Sequence, residues 1–168
     1  MNSQEFRQEI EIKKPRYLEK YYNLMKAISD KGATGGGDYI KFGPFFQTYM
    51  YAFMIGYHLG ECRLIAGSSD TRDFAPINNW RPSELVDYIL MLILSESDEK
   101  LGFTWEMLER MNDEECKAAV GTIVRRIEGY ANTGLNYIQD KFNNEKDEFR
   151  SPNVFITLLR DVVKDKAQ

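Results

Sequence analysis

Apolar and polar positions along this chain repeat with the period of a helix, and no run alternates convincingly with period two. The densest apolar stretch runs from Phe45 to Arg63, bracketed by Gly43-Pro44 and Gly67, with no acid before Glu61. Large side chains occupy nearly every rotational position there, so the spacing predicts a central helix buried on most of its circumference. Ala52, Gly56 and Gly60 interrupt that surface four residues apart, a face on which another backbone can come close.

Other helices follow from start and stop signals. Pro15 opens a helix with Leu18, Tyr21 or Tyr22, Met25 and Ile28 on one face, stopped by Lys31 and Gly32. Tyr39 to Phe42 reads as a short extended piece. Pro82 precedes a second core helix, Ser83 to Leu94. Gly102 separates an acidic turn from a short helix, Trp105 to Met111, with Thr104 as its N-cap. Asn112 with Glu115 has the spacing of a capping box and opens the longest periodic segment, 112–143, which Gly129 and Gly134 are expected to bend or split. Asn143 to Arg150 reads as a charged loop. Ser151-Pro152 starts a last helix with Val154, Phe155, Leu158, Leu159 and Val162 on its apolar face. The expected fold is all-α: a single-domain bundle of five or six helices over residues 15–168, preceded by a charged arm at 1–14.

Length supports that reading, since 168 residues fit one domain able to bury a sizeable core. A net charge of −4 argues against a bulk electrostatic grip on nucleic acid or anionic lipid. The charge is uneven. Residues 84–115 hold ten acidic and two basic side chains, a net of −8, while the remainder is slightly basic.

The N-terminus lacks an apolar signal segment and Cys62 and Cys116 lie far apart, which predicts a cytoplasmic protein with both thiols buried and reduced. The longest apolar run, Tyr88 to Leu94, is too short to span a bilayer, so no membrane partner is expected.

Candidate chemistry is sparse. Gly32-Ala-Thr-Gly-Gly-Gly-Asp38 lacks the Lys and Ser/Thr of a phosphate-binding P-loop, and reads as a connector. The 17-residue stretch from Leu64 to Trp80 reads as a long loop held down by Phe74, Ile77 and Trp80. His58 is the only histidine. With Cys62 it shares a helix face, but the pair lacks the further ligands of a metal site and any marked residue to orient a nucleophile. No catalytic residue, metal ligand set or cofactor is assigned. Arg63, Arg72, Arg125 and Arg126 are the candidates for contacting anions or DNA, expected to converge on one face. Ala52, Gly56 and Gly60 are the candidate subunit interface, from which self-association is expected.

Phe46, Thr48, Met50 or Met54, Ala52, Gly56, Tyr57, Gly60 and Arg63 occupy the places of a "Phe…Thr…Met…Ala…Gly-Tyr…Gly…Arg" helix. That segment resembles one in small helical accessory proteins of bacterial DNA sulfur-modification (Dnd) and related phage-defence cassettes, over about 50 residues from Tyr39 to Leu94. The resemblance implies a non-enzymatic accessory subunit beside a larger nuclease or DNA-modification complex, acting through protein and DNA contacts. The alternatives are a small enzyme with a pocket around His58 and a purely structural homo-oligomeric module.

Overall fold

The computed structural model describes residues 1–30 and 38–165. The glycine-rich segment and the helix stop at Lys31 and Gly32 lie outside the described residues, apart from Asp38. The chain is all-α, with eight helices among the described residues: α1 (Ser3–Glu11), α2 (Tyr22–Ile28), α3 (Phe45–Leu59), α4 (Ser83–Leu94), α5 (Asp98–Leu101), α6 (Trp105–Arg110), α7 (Asp113–Asn144) and α8 (Val154–Asp165). Two three-residue strands, β1 (Arg16–Leu18) and β2 (Thr71–Asp73), pair with each other. The chain divides into two compact units. The first is Met1–Arg16 with Asp73–Glu128; the second is Tyr17–Arg72 with the chain from Gly129 onward.

Residues 1–14 differ from the expected arm, because they contain α1. Its cause is local: Asn2 accepts from the Glu5 amide at 2.9 Å and the Glu5 carboxylate accepts from the Asn2 amide at 2.8 Å, a complete capping box. Ile10 anchors the helix in the first unit. The 74–80 part of the long loop lies in the same unit, with Phe74, Ile77 and Trp80 all buried and Trp80 Nε1 donating to the Ala75 carbonyl at 2.9 Å. The Phe74 and Ile77 amides donate to the Pro15 and Lys13 carbonyls, which satisfies backbone that would otherwise be stranded.

The expected caps of the later helices are present. Thr104 Oγ1 accepts from the Met107 amide at 3.1 Å, and Asn112 and Glu115 cap each other at 2.9 and 3.0 Å. Gly102 ends α5 at a φ of 77°, a conformation side chains other than glycine's rarely adopt.

The second unit is built around α3, as the apolar density predicts. Tyr49, Met50, Tyr51, Ala52, Phe53 and Ile55 are all buried. The Tyr51 hydroxyl donates to the Phe155 carbonyl of α8 at 2.6 Å, and the buried Ser29 hydroxyl donates to Thr48 Oγ1 at 2.8 Å. Phe42 packs on both Tyr51 and Phe155, with ring centroids 4.4 and 4.9 Å away. The expected extended piece before α3 takes the form of an irregular segment joined to the end of α2 by a parallel bridge between Ser29 and Gly43.

Two expectations about small residues are corrected in this unit. α7 is one continuous helix; Gly129 and Gly134 neither split it nor stand idle. A Cβ on Gly134 would lie 1.7 Å from the Ala52 carbonyl oxygen, and one on Gly56 would lie 1.9 Å from that of Tyr130. The glycines let α3 and α7 approach backbone to backbone, which keeps the helix despite their poor propensity. The Ala52–Gly56 face is therefore filled within the chain and is not available to a second subunit. Gly60 serves differently, ending α3 at a φ of 75°.

Candidate ligand-binding cavity

The residues singled out from the sequence are divided between the two units. Arg63 and Arg72 lie in the second unit, Arg125 and Arg126 in the first. Arg63 forms a two-pronged pair with Glu61, at 2.8 and 2.9 Å, on the surface. The hydrogen bond from Arg63 holds the Glu61 carboxyl below its ordinary value. Arg72 pairs with Glu19, whose carboxyl it lowers in the same way, and lies 3.9 Å over the ring of Tyr22. Arg126 pairs with Glu96, both side chains largely withdrawn from water. Arg125 is exposed and donates to Thr122 Oγ1 at 3.0 Å. Three of the four guanidiniums thus have a carboxylate against them.

His58 is half-buried near the C-terminal end of α3. Cys62 is half-buried rather than fully buried, Cys116 is buried, and neither forms a disulfide. Cys62 and Arg63 lie along α7. The Arg63 amide donates to Thr133 Oγ1 at 3.2 Å and Asn132 Nδ2 donates to the Arg63 carbonyl at 3.0 Å. A Cβ at Gly129 would come within 2.5 Å of Cys62 Sγ, so a glycine there gives this strand of chain its place. No group of three or more His, Cys, Asp or Glu side chains among the described residues is arranged to hold a metal ion. No helix among them is long and apolar enough to cross a membrane.

A feature with the shape of a site lies in the first unit and was not anticipated from the sequence. It is an open cavity of about 460 Å³ walled by α1, α4, α6 and the start of α7. Phe6 and Ile10 come from α1, Leu90, Met91 and Leu94 from α4, and Trp105 and Leu108 from α6. Volume and lining suit an apolar ligand or the apolar face of a partner. Met91 is 56% exposed and Trp105 58%, large apolar side chains left in water at the mouth. α6 has no buried residue at all, although it carries Trp105, Met107 and Leu108. Leu85 and Tyr88 of α4 are also exposed, on the sides of the helix that do not line the cavity.

The charged groups of the wall are mostly satisfied internally. Arg7 donates to Glu11 at 2.7 Å and to Asp87 at 2.5 Å, and these bonds raise its pKa. The Met1 ammonium group is hydrogen-bonded to Asp113 at 3.0 Å, which lowers the Asp113 carboxyl. Glu109 lines the cavity and is exposed. The site thus joins an apolar floor to two cationic groups, the Met1 ammonium and Arg7, and two carboxylates, Asp87 and Glu109. Comparison with protein-family models, curated proteins and solved structures finds no match to this chain.

The wall was hard to read because it joins residues more than a hundred positions apart, from Met1 to Cys116. One signal was available. α4 is apolar on more sides than one buried face requires, and the six residues Trp105–Arg110 put three large apolar side chains into a helix too short to bury them.

Proposed function

We propose that the protein is a non-enzymatic accessory subunit that binds another molecule in the open cavity of its first unit. The observation that carries this reading is the pairing of that cavity with Met91 and Trp105 held in water at its mouth. Burying a side chain of that size is worth about 1.5–3 kcal/mol, so leaving two beside a cavity reserves a driving force for association.

The resemblance of the α3 segment to accessory proteins of DNA-modification and phage-defence cassettes makes a nuclease or modification complex the first partner to try. Pairing of Arg63, Arg72 and Arg126 with carboxylates favours protein contact over DNA contact as the means, because each guanidinium must leave its partner to reach a phosphate. A second copy of the chain could be the partner only through a surface other than Ala52 and Gly56. A cytoplasmic location belongs to the same reading and is supported by two cysteines outside any disulfide.

The test is titration with a neutral apolar dye such as Nile red. Saturable binding to the native protein is expected, weakened about tenfold or more in the double variant Met91→Ser/Trp105→Ser, a loss of about 1.4 kcal/mol or more. Both positions are exposed, so circular dichroism should be unchanged. No binding, or equal binding by the variant, would overturn the reading.

A further inference from the structure

We infer that this cavity is the site for one compact, uncharged aromatic molecule, held between α1, α4 and α6 against Phe6, Met91 and Trp105. The inference rests on the binding reading above and names the class of the occupant, leaving protein contacts to the rest of the surface.

Extent and lining are the first ground. The wall takes Asp87 to Leu94 from α4 and Trp105 to Glu109 from α6, so it runs about 10 Å along one helix and about 6 Å along the other. Leu85 and Tyr88 lie on other sides of α4 and do not lengthen it. A partner helix long enough to be stable, about 12–15 residues or about 20 Å, would run well past it. The volume of about 460 Å³ instead lies within the roughly 300–1,000 Å³ of small-molecule sites. Aromatic rings come from two walls, Phe6 of α1 and Trp105 of α6. Thioethers come from Met91 of α4 and from Met1, whose side chain is 8% exposed. A flat ring makes stacked or edge-to-face contacts with the first pair and sulfur–aromatic contacts with the second, which a saturated molecule of equal size cannot make.

Charge is the second ground, because it favours neither sign. The Met1 ammonium and Arg7 line the cavity with Asp87 and Glu109, and both cations are already bound, Arg7 to Asp87 and Glu11 and the ammonium to Asp113. An anion would have to displace a carboxylate from either cation. A cation drawn to Asp87 would meet Arg7 beside it. One drawn to Glu109 would find an exposed carboxylate, where water leaves an ion pair worth little. An uncharged molecule disturbs none of these pairs.

The experiment uses the full chain with bound Nile red as reporter. Its competitors are naphthalenemethanol, the charged relatives naphthoate and naphthylmethylammonium, and the saturated alcohol decahydronaphthalenemethanol. Naphthalenemethanol is expected to bind about tenfold or more tightly than either charged relative, and about threefold more tightly than its saturated form. Freeing Arg7 with Glu11→Gln/Asp87→Asn should raise the affinity for naphthoate about fivefold relative to the aromatic alcohol. Filling the cavity with Leu108→Trp or, separately, Leu94→Trp should weaken the aromatic alcohol about tenfold or more with circular dichroism unchanged. Nile red binding without displacement by naphthalenemethanol would sink the inference and leave the binding reading standing. So would equal displacement by a charged relative or by the saturated alcohol, or no gain for naphthoate once Arg7 is freed. Aromatic-alcohol binding untouched by both tryptophan variants would place it outside the cavity and also overturn the inference. Failure of Nile red to bind at all would sink both readings.

Discussion

The two units use apolar residues in opposite ways. In the second, the most apolar stretch of the chain is consumed by packing: α3 is buried over most of its surface and its small residues seat the backbone of α7. In the first, α4 and α6 leave Leu85, Tyr88, Met91, Trp105 and Met107 exposed, and Met91 and Trp105 line an open cavity. Apolar density along a sequence therefore marks the interior of this protein. Its candidate site is marked by apolar residues in excess of what their helices can bury.

The largest expected effect falls on the packed unit. Gly134→Val or Gly56→Val should cost about 4 kcal/mol or more in urea unfolding, because the intruding atoms meet a backbone carbonyl that cannot step aside. A cost within the range of ordinary surface changes would show that the α3–α7 approach is not needed.

The next effect lies in the first unit. The Glu128 side chain is 4% exposed and accepts from the Arg16 amide at 2.8 Å and from its guanidinium at 3.1 Å. Glu128→Gln should cost roughly 1.5–3 kcal/mol by the same measurement, since a charged acceptor of three hydrogen bonds is replaced by a neutral one.

Alkaline pH should separate the units by their tyrosines. Burial pushes the phenols of Tyr17, Tyr21 and Tyr51, all in the second unit, above their ordinary value of 10.0. Because the folded values exceed the unfolded one, the stability they contribute is complete below pH 10.0 and is lost as pH rises through the folded values. Urea midpoints should fall above pH 10.0 and fall less in Tyr51→Phe, which has one such phenol fewer. An equal fall in that variant would refute the assignment for Tyr51.

The smallest effect on stability belongs to the cavity mouth. Met91→Ser/Trp105→Ser should leave the urea midpoint within about 0.5 kcal/mol of the native protein while abolishing most dye binding. A large destabilisation would make these residues structural and erase the contrast between the units.

Much of the fold was legible because its signals are local. Thr104, Asn112 with Glu115, Gly60 and Gly102 mark helix ends by side-chain or backbone chemistry that acts within a few residues. Asn2 with Glu5 carried the same capping signal, so α1 was legible too, although a charged composition pointed to an arm. The glycines of α7 were visible, but their purpose was not: close approach depends on the residue opposite, Ala52 for Gly134 and Cys62 for Gly129. The Ala52–Gly56 face was correctly seen as a place for a backbone, and the backbone came from the same chain. The cavity was least legible, since its walls come from four helices and its significance lies in exposure, which periodicity alone does not give.

The most direct test of the central claim is hydrogen–deuterium exchange with and without saturating Nile red. The account predicts slower exchange on binding in α4 and α6, over Leu90–Leu94 and Trp105–Glu109, with α3 already protected and unchanged. Protection appearing instead in α3, or around Arg63 and Arg72 with α4 and α6 untouched, would contradict it.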